Sequence, residues 1–301
     1  MKRIVLTIVW LSAAVLPPVG AAVIRTVPRP GESTTRPAAT SRPAGTSKLS
    51  IRIMRDDWGD AGTADIHRVL KSAAGELWRS FPDRRLHPII VQRGRRAPIT
   101  LYRRGPKGEY LIKVTTKGRY WCQFAYQFAH EFCHVLANYS HKTPVANKWF
   151  EESLCEMASI YSMRRMAITW KTSPPHSHWR SYAADIQAYV DDLQGPEDKL
   201  PKGKTLAAWY KENRTALRRA PCLRDKNRIV ANSLIGLFEA SPEHWPAIGY
   251  LNSGKPVSDS LQGHLANWYR QTPARHRKIV GDIIKRFELK IPQIPLKKQA
   301  S

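Results

Sequence analysis

The segment Phe128-Ala129-His130-Glu131-Phe132-Cys133-His134 sets two imidazoles four residues apart, with a carboxylate directly after the first. Four residues is about one helical turn, so in a helix both rings lie on one face and can converge on one metal ion. Imidazole and carboxylate suit Zn2+, which lowers the pKa of a bound water towards about 7. Glu131 would reach such a water and take its proton without itself binding the ion. The chemistry on offer is hydrolysis.

A third ligand decides the kind of site. Met-turn zincins with three histidines continue with Gly three residues and His six residues after the second His. Here Ala137 and Ser140 stand in those places, and His141 comes one position late. Downstream, Lys148-Trp149-Phe150-Glu151-Glu152-Ser153-Leu154-Cys155-Glu156 opens a second apolar helix. In this the chain resembles the gluzincins, the thermolysin-like and aminopeptidase-like zinc metallopeptidases, where a Trp-x-x-Glu or Asn-x-x-Glu segment supplies the ligand. The resemblance covers about residues 119–165 and implies Zn2+ on His130, His134 and Glu152, with Glu131 as general base. Trp149 stands three places before Glu152, and 17 residues separate His134 from Glu152.

Glu156, one turn beyond Glu152, stands where thermolysin-like members keep a carboxylate that orients a ligand histidine; a solvated acidic residue is the alternative. Glu151 reads as a surface residue. Gluzincins hold an extended substrate on a strand ahead of the metal helix, which makes Tyr110–Val114 a candidate edge strand, or else part of a structural hairpin. They also steady the oxyanion with a Tyr or His beyond the Glu helix. Tyr161, His176, His178, Tyr182, Tyr210, His244 and Tyr250 are available, and no pattern selects among them. No Gly-Ala-Met-Glu-Asn segment is present, which disfavours an amine-anchoring aminopeptidase. His176-Ser177-His178 reads as a polar loop rather than a second metal site.

The elements that must position these groups emerge from periodicity. Residues 51–54 and 88–91 read as strands, and 99–102 with 110–114 flank Gly105-Pro106-Lys107-Gly108 as a hairpin. Thr63 is placed to cap a helix carrying Ile66, Val69, Leu70, Ala73 and Leu77. After Gly118 apolar residues recur at helical spacing near 119–139, 147–168, 180–194, 205–218, 226–239 and 260–288, the last breaking around Pro273. The expected fold is α+β: a small mixed sheet with a helix (49–117), then a mainly helical part (118–290) carrying the zinc-binding helices.

The flanks differ from this body. Residues 1–22 combine Lys2 and Arg3 with an apolar run, Pro17-Pro18 and Gly20-Ala21-Ala22, the layout of an export signal. The apolar run is shorter than the about 20 residues of a membrane span, so no stable span is expected after cleavage; a retained anchor is the alternative. Residues 23–48 read as a flexible Pro/Thr/Ser-rich linker and 291–301 as a basic tail. Export to a periplasmic or extracellular location would let Cys122, Cys133, Cys155 and Cys222 form disulfides, Cys133 with Cys155 among them; buried thiols are equally open.

The chain carries 49 Lys and Arg against 24 Asp and Glu, a formal charge of +25. Such a surface favours anionic partners. No basic run alternates with aromatics as a nucleic-acid groove would, and an export signal argues against that partner, so no nucleic acid is expected. The reading is therefore an exported zinc-dependent peptidase acting on a peptide or protein substrate. The alternative is a secreted basic binding protein on the same scaffold, with structural zinc and little turnover, acting on anionic envelope polymers.

Overall fold

Strand β1 (Ile51–Ile53) and helix α1 (Thr63–Trp78) open the fold, and α1 returns the chain to β2 (Ile89–Arg93), which pairs parallel to β1. A parallel pair needs such a crossover, since no tight turn can make it. Strands β3 (Ile99–Thr100) and β4 (Tyr110–Val114) form the expected antiparallel hairpin, and β4 also pairs parallel to β2, giving the order β1-β2-β4-β3. The computed structural model describes residues 49–254 and 258–293. The expected export signal, the linker and the end of the basic tail lie outside the described residues.

Two expectations are corrected here. Tyr110–Val114 is an inner strand, bonded to β2 on one side and β3 on the other, so the free edge beside it belongs to β3. The hairpin turn fixes which two strands pair, but not which of them then joins β2. Thr63 is the first residue of α1 rather than its cap; Gly62 holds the cap position and no side chain bonds there.

The helical part begins with α2 (Trp121–Leu136), which packs on the sheet and on α1. Helix α3 (Val145–Thr172) runs through the centre, covered by α1, α2, α4 (Tyr182–Asp192), α5 (Leu206–Arg219) and α6 (Arg224–Ala240). At 28 residues it is about 42 Å long. Residues 153–163 are buried without interruption, so this helix has no solvent face along its middle. Small residues make that possible: Ser159 donates to Tyr126 O of α2 at 3.1 Å, and Ser162 donates to Ala73 O of α1. Helices α7 (Leu261–Gln271) and α8 (Arg277–Arg286) are separated at Pro273, where the sequence predicts the break. One continuous apolar core joins strand residues such as Ile89 and Ile112 to Phe150, Trp245 and Ile283.

Helix α7 also contributes a titratable weak point. His264 is buried edge-on against Phe150, and burial pushes its ring down to about 4, partly offset by the charge of Glu151. Between the ordinary histidine value near 6.5 and pH 4, the unfolded chain takes up a proton that the folded chain refuses. Stability is therefore full above about 6.5 and falls as the pH drops through that window, by about 3 kcal/mol in all. Urea unfolding at pH 7 and pH 5 should show His264→Leu losing about 2 kcal/mol less than the wild type; equal losses would refute the assignment.

Candidate metal centre

The end of α2 is held by Arg84, whose guanidinium donates to Leu136 O (2.5 Å), Val135 O (3.1 Å) and Asn138 Oδ1 (2.9 Å). Asn138 itself has φ of 53°, the left-handed turn that stops a helix. The last turns of α2, carrying His130 and His134, therefore cannot fray. They face the N-terminal half of α3. There Glu151, Glu152, Cys155 and Glu156 share an arc of about 140° at 100° per residue.

Both rings turn the same nitrogen to Glu152. His130 Nε2 lies 3.2 Å from Glu152 Oε2, and His134 Nε2 lies 3.7 Å from Oε1. The other nitrogens face separate carboxylates: His134 Nδ1 stands 2.7 Å from Glu151 Oε1, and His130 Nδ1 stands 3.8 Å from Glu156 Oε2. The His134 ring is thus held from behind by a hydrogen bond, the arrangement that fixes tautomer and direction in metal-binding histidines, while Glu156 stands behind the His130 ring at ion-pair distance. Side-chain exposures of 18% for His130, 14% for His134 and 23% for Glu152 leave all three side chains partly exposed.

The two supporting carboxylates are themselves anchored. Glu156 accepts from Tyr126 Oη at 2.6 Å and from Arg228 Nε at 3.0 Å, and Arg228 continues to Asp198 at 3.1 Å. The expectation for Glu151 is overturned. It is buried, accepts from Asn252 Nδ2 at 2.9 Å, and Asn252 accepts in turn from Thr143. Thr143, Arg228 and Asn252 come from distant segments, and no local pattern marks them. Glu151 and Cys155 did carry a signal, since both fall on the helical arc of Glu152 and Glu156.

The electrostatics reflect crowding. Burial alone would lower both rings, but the carboxylates around them win. Hydrogen bonds to Glu152 and Glu156 hold His130 well above the usual range, and the charge of Glu152 with the bond to Glu151 raises His134 to about 9. Burial would raise Glu152, yet the two rings and a hydrogen bond from the exposed Cys222 thiol bring it to about 2. Four carboxylates around two imidazoles call for positive charge, which two protons or one divalent cation can supply.

The donor types suit zinc; the 3.2 and 3.7 Å separations run from the two rings to the two different oxygens of Glu152. Among the described residues, the triple whose donor atoms all lie within 4.8 Å of one another is His130, His134 and Cys155. Glu152 is the better third ligand on chemical grounds. A thiol must lose its proton to bind, and burial, a hydrogen bond with Cys133 and the charges of Glu151 and Glu152 hold Cys155 well above its ordinary value. No known family, curated protein or solved structure matches the chain. The gluzincin resemblance therefore rests on the motif residues and on this geometry.

Glu131 is buried, and its charge also acts on both rings. Thr100 Oγ1, on strand β3, lies 2.8 Å from Glu131 Oε2 and 2.9 Å from Glu131 O. Leu101 N donates to Leu111 O of β4, so in the antiparallel ladder the adjacent Thr100 turns its backbone N–H and C=O to the open side. Among the described residues no strand pairs with that side of β3, which lies directly beside the motif, although Thr100 itself is buried.

The oxyanion candidates lie elsewhere. Tyr161 packs on Trp245, Tyr182 faces Cys122, Tyr210 stacks on Trp149, and His244 contacts His276. His176 bonds Asp65, His178 stacks on His176, and Tyr250 lines a cavity beside Arg84. A concavity of about 690 Å³, lined by Glu76, Tyr161, Arg165 and His276, contains no motif residue. Chemistry rather than size locates the site. None of the four cysteines is in a disulfide; Cys133 and Cys155 lie side by side as thiols.

Proposed function

We propose that the protein is an exported zinc-dependent peptidase, with His130, His134 and Glu152 as ligands and Glu131 as general base. The observation that carries this reading is the convergence of both Nε2 atoms on Glu152, with Glu151 bonded to the opposite nitrogen of His134 and Glu156 facing that of His130. A zinc ion bound there supplies Lewis-acid polarisation of the scissile carbonyl and acidifies the attacking water. The chain's own groups do the rest. The open edge of β3 at Thr100 pairs with an extended peptide and lays one of its bonds beside Glu131. The Glu131 carboxylate takes a proton from water and passes it to the nitrogen of the departing amine. Thr100 Oγ1 holds that carboxylate in place.

A binding protein with structural zinc is the second reading, and one observation favours it: among the described residues, none of the candidate Tyr and His side chains bonds to the motif residues. Against it stands Glu131, a buried carboxylate that a purely structural site does not need.

The test is zinc content of the purified protein, wild type beside Glu152→Gln, with casein hydrolysis followed in the same samples. Near-stoichiometric zinc and hydrolysis in the wild type, both lost in Glu152→Gln, are expected. Wild-type protein that takes up no zinc when the metal is added back would sink the assignment. Zinc without hydrolysis of casein or peptides would move the case to the binding protein.

A further inference from the structure

We infer that the polypeptide taken by this site is acidic, selected by cations at both ends of strand β3; this rests on the peptidase reading. Residues 93–119, which contain β3 and its flanks, hold nine Lys and Arg and a single acidic residue, Glu109. Glu109 is already engaged by Arg52, and Lys117 and Arg119 are engaged by Asp57 and Asp60. Arg95 and Arg96 just before β3, and Arg103 just after it, are exposed and form no ion pair with a described carboxylate.

Lys148 completes the pattern from the other wall. It lies one turn before Glu152 on the same face of α3, and its Nζ is 2.9 Å from Tyr102 Oη, two residues beyond Thr100. The ring of His141 stacks on Tyr102, so this end of the cleft is built from Tyr102, His141 and Lys148 together. Lys148 forms no ion pair with a described carboxylate, its partner being Tyr102. A chain extended along the edge of β3 thus passes Arg95 and Arg96 at one end and Arg103 and Lys148 at the other. The bond beside Glu131 lies between them.

Peptide carboxylates within about four residues of that bond, at about 3.3 Å per residue, come within reach of these long side chains. Glutamine in the same places gains no such attraction. A polyanion without a peptide backbone could satisfy the cations but could not pair with the N–H and C=O of Thr100. The observations therefore favour an acidic peptide over nucleic acid.

The test uses the full chain carrying Glu131→Gln with zinc added, so that bound peptide is not consumed. A fluorescein-labelled peptide with Glu on both flanks of its centre is titrated beside the same peptide with Gln. The acidic peptide should bind about tenfold more tightly at low salt and lose that preference near 1 M, where the Debye length is about 3 Å. Adding Lys148→Gln and Arg103→Gln should reduce the preference to about threefold or less, and quenched versions should show the same preference in kcat/KM with the wild type. Equal binding of the two peptides would overturn the inference. So would an oligonucleotide of matched charge that displaces the acidic peptide whether or not Lys148 and Arg103 are replaced. Equal cleavage of both peptides would leave the peptidase standing without its selectivity. Selective binding without cleavage of either would leave the surface standing and remove the peptidase.

Discussion

Glu131→Gln should lower the turnover of any peptide substrate by about 10²–10⁴-fold while zinc content and unfolding midpoint stay at wild-type values. The separation of the two effects is what the geometry requires. Glu131 Oε2 faces Thr100 Oγ1 at 2.8 Å, while the atoms that converge on the metal position are the histidine Nε2 atoms and Glu152. A glutamine amide oxygen accepts from Thr100 as the carboxylate does, so the side chain keeps its place and volume. What is lost is the capacity to take a proton from water and return it to the leaving nitrogen. The change also removes one negative charge from a crowded cluster, and the zinc assay run alongside shows whether that alone alters occupancy. Stopped-assay hydrolysis and metal analysis on one preparation suffice. Activity within about threefold of wild type would assign the base to another group.

The parts of this site that could be read from sequence are those written in short-range spacing. His130, His134 and Glu152 lie in two helices, and the contacts among them repeat the one-turn logic of the motif. Glu156 was legible for the same reason, one turn from Glu152. Glu151 was misread because α3 is buried on all sides near the site, so polarity could not tell its outer face from its inner one. The supporting groups Asn252, Arg228 and Thr100 lie 101, 72 and 31 residues from Glu151, Glu156 and Glu131. Only the packing of α6 on α3, of β3 on α2 and of the turn before α7 brings them in. The edge strand was misassigned on similar grounds. A hairpin is local, but the choice of β4 rather than β3 as neighbour of β2 is made by long-range pairing.

Glu156→Ala should be the most damaging single change to the scaffold of the site, costing about 3–5 kcal/mol of stability and about 10–100-fold in zinc affinity. The side chain is 2% exposed and joins Tyr126, Arg228 and His130 in one network. Burial would raise its carboxyl, but the bond to His130 and the charge of Arg228 hold it at about 2, below its ordinary 4.5. Its contribution to stability is therefore complete above pH 4.5 and is lost as pH falls towards 2. Alanine removes the counter-charge and leaves the partly buried Arg228 with Asp198 alone; it also removes the carboxylate that faces His130 Nδ1. Two further variants separate these effects. Arg228→Met with Glu156→Gln removes both charges, and the pair should be less destabilised than the sum of the single changes. Zinc affinity should nevertheless remain low in the double variant, because His130 still lacks its carboxylate. Wild-type zinc affinity in Glu156→Ala would mean that Glu156 serves only to neutralise Arg228, and that His130 is aimed by the packing of α2 alone.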